Sequence, residues 1–377
     1  MKIAVNTRFL LAGRLEGIGK FTFEILRRLT ANHPEAEFYF FFDRPYDPRF
    51  VFGPNVKPVV LSPPARHPFL FYLWFEGSVA RELKKIKPDV FLSTDGLSTL
   101  NTTVPRVTVM HDLAFEHYPK DLGFLVRHYL QYFTPRFARA SERIIAVSEY
   151  TRQDIAATYQ IPAAKIDVVY NDASGFFQPA SQAEADQTRH TFSQDQPYFM
   201  FVGAQHPRKN LVNLLKAFDE FKTVGERPEK LLIVGRKAWK SKAISETYAN
   251  MLHRNDVIFT GRVSDEELSA LYGAALATVY VPTFEGFGIP IVEAQKCGCP
   301  VITSNVSSMP EVAGDSALLV DPFCIPEIAS AMKKLADDPA LRKTLVYLGR
   351  TNLKRFSWDL SAEKLWQSLE KAAATKP

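Results

Sequence analysis

The sequence predicts an α/β protein of two doubly wound domains in tandem, each a parallel sheet covered by helices. Three observations carry this. Short apolar runs alternate with longer stretches of helical periodicity, the pattern of parallel strands joined by crossover helices. A polar break near the middle is followed by a restart of the same pattern. The length, 377 residues, predicts about two domains at roughly 100–200 residues each.

In chain order, residues 2–6, 37–42, 56–60, 89–92, 106–110, 143–147 and 165–169 read as strands of the first half. Helical stretches fall at 18–30, 69–86, 124–140 and 149–159. Residues 173–196 contain Gly175, Pro179 and a polar run, and read as a linker with room for a short helix. The second half resumes with strands at 197–203, 230–235, 256–261, 275–281, 300–303 and 317–320. Its helices fall at 210–222, 241–253, 264–273, 289–297, 325–336 and 339–354. A last helix at 359–374 follows Phe356-Ser357-Trp358, with Ser357 or Asp359 as its N-cap. The domain boundaries predicted are 1–172, 173–196 for the linker, 197–356, and 357–377 for the terminal helix. Ligands of open parallel sheets bind beyond the carboxyl ends of the strands, so the loops after strands are where chemistry is expected.

Composition narrows the class. Hydrophobic residues make 46% and charged residues 23% of the chain, which excludes disordered, collagenous and coiled-coil proteins. Cys297, Cys299 and Cys324 are too few for a disulfide framework, and the spacing of the first two is not that of a zinc finger. The apolar run at the start is too short for an export signal. Leu268–Phe284 is uncharged but falls short of the about 20 apolar residues a membrane span needs. The expected location is the cytoplasm. A net charge of +5 permits a phosphate ligand or an anionic membrane surface without demanding either, and nothing points to nucleic acid.

Four loops are candidates. Gly17-Ile18-Gly19-Lys20 opens a helix after the first strand; it fits either a backbone cradle for an anion or a flexible helix entry. His111-Asp112 follows the strand RVTVM, where a histidine serves either as a donor to a sugar hydroxyl or oxyanion or as a structural side chain. Arg208-Lys209-Asn210 leads into a helix after the first strand of the second half. There Arg grips phosphate oxygens bidentately and Lys adds a point charge, the outline of a diphosphate site, with a solvated basic turn as the other reading. Thr283 to Glu293 (TFEGFGIPIVE) is the strongest. Pro290 suits a first helical turn, Gly286 and Gly288 bring bare amides to an anion, and Glu285 and Glu293 sit eight positions apart beside an apolar run.

This last segment resembles the double-glutamate signature of family 4 retaining glycosyltransferases. Other residues agree in order. Gly17-Ile18-Gly19-Lys20-Phe21 resembles that family's amino-terminal glycine loop. His111 to Phe115 with Tyr118-Pro119 resembles its crevice histidine segment, in a form similar to mannosyltransferase-like members. Val147-Ser148-Glu149 and Val169-Tyr170-Asn171-Asp172 fall at its serine turn and Asn-Gly turn, with Asp172 where the family has glycine. Arg208-Lys209-Asn210 matches its diphosphate-gripping pair, and Ser307 to Glu311 a later segment.

The resemblance implies a GT-B fold, two Rossmann-like domains facing a cleft, and a donor that is a nucleoside-diphosphate sugar, with no cofactor and no metal. It implies that Glu293 takes the ribose hydroxyls, that Arg208 and Lys209 neutralise the diphosphate, and that Glu285, Gly286, Phe287 and Gly288 meet the donor sugar. His111 would reach that sugar from the first domain, Gly17 and Gly19 would line the donor site, and Arg262 and Val263 would lie near the base. The terminal helix would return to the first domain. The absence of an Asp-x-Asp after a strand disfavours the metal-dependent transferase fold.

The acceptor expected is a saccharide or a lipid-linked saccharide. The aromatic run 68–75, followed by Arg81, Lys84, Lys85 and Lys87, reads either as contact with a membrane surface at its inner face or as a core helix with a solvated end. A row of Arg136, Arg139 and Arg143 leaves the same choice. The competing functions are a sugar-nucleotide epimerase on a similar frame and a catalytically silent nucleotide-sugar-binding subunit.

Overall fold

The computed structural model describes residues 1–13, 15–235 and 242–375. The chain forms two compact units: residues 1–171 with 356–377, and residues 172–355.

The first unit has a seven-stranded sheet: β1 (Lys2–Asn6), β2 (Glu37–Phe42), β3 (Val56–Val60), β4 (Val90–Ser93), β5 (Arg106–Met110), β6 (Arg143–Ala146) and β7 (Ile166–Val168). Their order is β3-β2-β1-β4-β5-β6-β7, and every pairing is parallel. The strands are continuous apolar runs because both faces are covered; Ile3, Val5, Phe38, Phe40 and Phe91 are fully buried. Pro58, which cannot donate to a ladder, sits on the edge strand β3.

The helix expected over 69–86 is three pieces: Pro68–Tyr72, a wider π-helical stretch Leu73–Val79, and Ala80–Ile86. Tertiary bonds hold the wide stretch. Trp74 Nε1 donates to the Leu61 carbonyl at 2.9 Å, and the Glu76 carboxylate accepts from the Leu100 and Asn101 amides at 2.8 and 3.0 Å.

The final helix, Trp358–Ala373, belongs to this unit. Ser357 caps it by accepting from the Leu360 amide. It packs on the helix Ile18–Asn32 through a His33–Trp366 stack at 3.4 Å and an Arg28–Asp359 ion pair at 2.5 Å. Ser361 and Ser368 donate to the Tyr170 carbonyl and the Asp167 carboxylate, both at 2.7 Å.

The second unit has six parallel strands: β8 (Tyr198–Val202), β9 (Lys230–Val234), β10 (Val257–Gly261), β11 (Ala277–Tyr280), β12 (Val301–Ser304) and β13 (Ala317–Val320), ordered β10-β9-β8-β11-β12-β13. Residues 173–196, read as a linker, belong to this unit and contain the helix Gln182–Ser193. Ser181 and Glu184 form its capping box. Part of the helix expected at 241–253 is present as Lys242–Ala249; residue 241 lies outside the described residues.

Both sheets reverse their strand order once, at β1/β4 and at β8/β11. Such switch points open a crevice at the strand ends. At the end of β9 the chain passes so close to the end of β8 that a Cβ on Gly235 (φ 141°) would sit 2.3 Å from the Gly203 carbonyl oxygen. Only glycine permits that approach.

Candidate functional site

In the second unit the loops after β8 and β11 flank the switch point and bring Arg208, Lys209 and Glu285 together. Lys209 Nζ lies 2.8 Å from Glu285 Oε1 and donates to the Tyr280 hydroxyl at 2.6 Å. The Lys209 and Glu285 side chains are 19% and 14% exposed. Burial works against the charge on Lys209, but the Glu285 carboxylate and the Tyr280 hydroxyl outweigh it and hold the ammonium pKa above the ordinary lysine value. Burial, then the Glu285 charge, push the Tyr280 phenol upward. Arg208 Nη1 is 3.9 Å from Glu285 Oε1 and donates to the Phe284 carbonyl at 3.3 Å.

Backbone and side-chain bonds fix the two loops to each other. The Thr283 amide donates to the Arg208 carbonyl at 2.8 Å. Asn210, left-handed at φ 60°, donates through Nδ2 to the carbonyls of Val281 and Pro322 at 3.0 and 2.7 Å. Ser308 Oγ donates to the carbonyls of Glu285 and Phe287 at 2.8 and 3.1 Å. Gly288, at φ 98°, caps the helix Ile289–Lys296, and a Cβ there would lie 2.6 Å from Met309 Cε. The Glu285–Gly288 loop is thus held open-handed at a helix N-terminus, where amides favour negative charge.

Glu293 lies within that helix, 5% exposed. Its Oε2 accepts from the hydroxyl of Tyr272, itself fully buried, at 3.0 Å. Burial and the Glu293 charge raise the Tyr272 pKa well above its usual value, so the phenol stays a donor. Glu285 and Glu293 therefore have separate settings. Arg262 and Val263 follow β10, at the same end of the sheet; the Gly261 carbonyl before them accepts from the Gly235 amide at 2.9 Å. Asp172 pairs with Lys296 at 2.7 Å on the same helix as Glu293 and accepts from the Ala173 amide at 2.7 Å.

In the first unit, Gly17 caps the helix Ile18–Asn32 at φ 35°. Gly19 is required by contact: a Cβ would lie 2.8 Å from the Phe9 carbonyl oxygen. His111 follows β5. Its Nε2 is 2.9 Å from the Thr94 carbonyl, so that nitrogen carries the proton and Nδ1 is the acceptor. Burial lowers its pKa, against the opposing pull of the Thr94 carbonyl, and the ring is neutral at pH 7. Phe21 packs edge-on against it at 5.1 Å, and Trp358 of the last helix packs on Phe21 at 6.0 Å.

The residues that sequence reasoning missed are Tyr280 and Tyr272. Each stands in an apolar run that reads as core; only the position of Tyr280 at the end of its strand signals a different use.

Comparison with known proteins bears on the family and the fold. The Glycosyltransferase Family 4 profile matches residues 15–171, and that of Glycosyl transferases group 1 matches residues 182–352. The O-antigen chain mannosyltransferase B of Escherichia coli is 31% identical over 258 residues, 67% of each chain. The O-antigen chain mannosyltransferase RfbU of Salmonella typhimurium is 27% identical over 82% of this chain and 84% of its own. The solved structure of Anabaena Alr3699/HepE has a TM-score of 0.76 at 17% identity, over 98% of this chain and 99% of that one. Two profiles in succession, one on each sheet, and a relative above 30% identity over two thirds of its length lead to one conclusion: the chain is a glycosyltransferase of family 4, mannosyltransferase-like, with the GT-B fold.

Proposed function

We propose that the protein is a retaining, metal-independent transferase that moves a hexose, mannose by preference, from a nucleoside-diphosphate sugar to a saccharide or lipid-linked saccharide in surface-glycan synthesis at the inner face of a membrane. The observation that carries the reading is the Lys209–Glu285–Tyr280 cluster. Lys209 is ion-paired with Glu285 Oε1 and donates to the Tyr280 hydroxyl, which leaves its ammonium a further N–H, and among the described residues the buried Glu285 Oε1 has no hydrogen bond of its own. A fixed cation and a fixed acceptor stand side by side, one suited to a phosphate oxygen and the other to a sugar hydroxyl.

In this reading Glu293, held by Tyr272, takes the ribose, and Arg262 and Val263 lie near the base. Arg208 and Lys209 meet the diphosphate. Charge grows on its bridging oxygen as the glycosidic bond breaks, and a cation already charged and held in place needs no reorganisation to stabilise it. The amides of Gly286, Phe287 and Gly288 add to that field, and Glu285 orients the sugar. In the first unit His111, neutral, presents Nδ1 as an acceptor for a sugar hydroxyl, and the Gly17–Gly19 loop offers backbone amides to a ligand. The second unit takes the donor and the first the acceptor. The leaving diphosphate assists the incoming hydroxyl on the same face, so no carboxylate acts as a nucleophile and no cofactor takes part. The mannose preference is supported by the Escherichia coli and Salmonella relatives, both O-antigen chain mannosyltransferases, and the nucleotide-sugar donor by the Anabaena neighbour, a complex with UDP and glucose.

The test is transfer from an α-linked nucleoside-diphosphate mannose with and without chelator, with proton NMR of the early product. Transfer that survives chelation and gives an α linkage is expected. A β product would refute retention; activity lost in chelator and restored by magnesium or manganese would refute the metal-free reading.

A further inference from the structure

We propose that the first unit carries a docking surface for an anionic lipid bilayer, formed by the helices Pro68–Tyr72 and Phe124–Ala140. Among the described residues fifteen large hydrophobic side chains are exposed; five of them, Phe69, Tyr72, Phe124, Leu125 and Tyr132, fall in these two helices, and a sixth, Leu73, directly follows the first. Phe69 and Phe124 are 65% and 66% exposed. Scattered apolar side chains on a surface need no explanation, whereas a contiguous set does.

These six are contiguous. Phe69 lies one helical turn from Tyr72 and Leu73. Tyr72 and Tyr132 flank Phe133, with ring centroids 5.8 and 4.9 Å away. From Tyr132 the face continues by single turns through His128 to Phe124, whose rings are 3.9 Å apart. Phe71 meets Tyr129 at 5.6 Å beneath, which anchors one helix to the other. The aromatic run therefore divides its residues between two roles. Trp74 and Phe75 are fully buried, and Phe69, Tyr72 and Leu73 face outward.

The segments that build this face carry no acidic residue: residues 48–75 and 122–141 contain no Asp or Glu. Arg66 and Arg136 are exposed, and Arg127 is partly so. Arg127 and Arg136 carry their guanidinium carbons 5.7 and 3.6 Å from the ring centroids of Phe124 and Tyr132. Cation and aromatic thus form joint units at the surface, the pairing that suits a headgroup layer. Rings settle at the boundary between hydrocarbon and water while arginines meet anionic phosphates. A second copy of the chain fits poorly, because a two-fold contact would press like-charged arginines together. A neutral saccharide has no use for them. Among the described residues no helix is long and apolar enough to cross a membrane, so such a surface would act from one side.

As the seat of a lipid-linked acceptor this surface rests on the function proposed above. As a lipid-binding face it does not, and its test uses neither donor nor acceptor. The full chain is sedimented with vesicles of phosphatidylcholine containing about one third phosphatidylglycerol, and with phosphatidylcholine alone. Partition onto the anionic vesicles, weakened by added salt, is expected. Arg127→Gln with Arg136→Gln should reduce it about 25-fold, at about fivefold per arginine (about 1 kcal/mol). Phe69→Ser with Phe124→Ser should reduce it about tenfold or more. All four positions are surface sites, so melting temperature and transfer to a soluble acceptor should hold in both variants. Failure to bind anionic vesicles, equal binding to both vesicle types, or variants that bind like the parent would each overturn the proposal. So would a stable dimer that the phenylalanine variant splits, in a protein that ignores vesicles. None of these results bears on whether the enzyme transfers sugar.

Discussion

Replacing Lys209 by Met tests the central ion pair. The substitution keeps most of the stem and deletes an ammonium that lies 2.8 Å from Glu285 and 2.6 Å from the Tyr280 hydroxyl. What remains is a carboxylate with 14% of its side chain exposed, whose nearest cation is then Arg208, 3.9 Å from that oxygen. Removing one member of a buried pair costs about 3–5 kcal/mol. The partial exposure here places the cost at the lower end, about 3 kcal/mol. For a domain of this size each kcal/mol shifts the midpoint by about 2–4 °C, so the second unit should melt about 6–12 °C lower. Adding Glu285→Gln removes the stranded charge and should recover part of that loss, giving a clear coupling in a double-mutant cycle. The sign with pH is fixed too. A lysine whose folded pKa is raised stabilises fully below its unfolded value, about 10.4, and loses that contribution only as pH rises through the folded value. The gap between parent and Lys209→Met should therefore stay constant from about pH 7 to 10. Calorimetry across that range is the assay. An unchanged melting temperature, additive effects of the two substitutions, or a gap that closes near neutrality would refute the reasoning. In turnover, loss of the cation should cost about 10²–10³-fold in kcat, the scale of one lost charge-stabilising donor.

Three further outcomes follow from the same geometry. Tyr272→Phe removes the donor to the Glu293 carboxylate; a charged hydrogen bond is worth about 1.5–3 kcal/mol, and calorimetric affinity for a nucleoside diphosphate should fall about tenfold, while an unchanged value on a folded variant would separate Glu293 from the ribose. Gly235→Ala puts a methyl 2.3 Å from the Gly203 carbonyl oxygen and should lower the urea midpoint by about 1–3 kcal/mol of stability; an unaltered midpoint would show that the strand ends can part freely. Burial pushes the Cys297 thiol up to about 11 and the Cys299 thiol up to about 12, so with a thiol reagent at pH 8 only Cys324, partly exposed, should react in the native state, and rapid labelling of all three would contradict the packing of the helix Ile289–Lys296.

The strands were legible because a sheet buried on both faces turns each strand into an unbroken apolar run, and all thirteen stand within a residue or two of their expected positions. The helix Gln182–Ser193 was less legible because its buried face is Ala185, Thr188 and Ser193, small or polar residues that leave no hydrophobic stripe. The break at Leu73–Val79 depends on bonds from Trp74 and Glu76 to distant segments, which no local pattern records. At the candidate site the charged residues announced themselves by standing after strands. Their supports did not. Tyr280 in ATVYV and Tyr272 in ELSALYG look like core, and they are core for every atom but the hydroxyl. Lys209 and Glu285 are legible as individuals, but the ion pair between them depends on β8 and β11 being neighbours, a fact of strand order.

The chain leaves the first unit at residue 171 and re-enters it at 356. Topologically, the second unit is an insertion, and the first is closed by a helix that is synthesised after it. A ribosome delivering this chain completes the whole of the second sheet while the helix Ile18–Asn32 still lacks Trp366 against His33 and Asp359 against Arg28. The ring behind His111, Phe21, likewise waits for Trp358. The earlier-made sheet is thus the later one to be sealed. For the same reason the two units are unequal as objects to isolate. Residues 172–355 are one continuous stretch of gene, whereas the first unit can be recovered alone only by joining its two segments with a new connection.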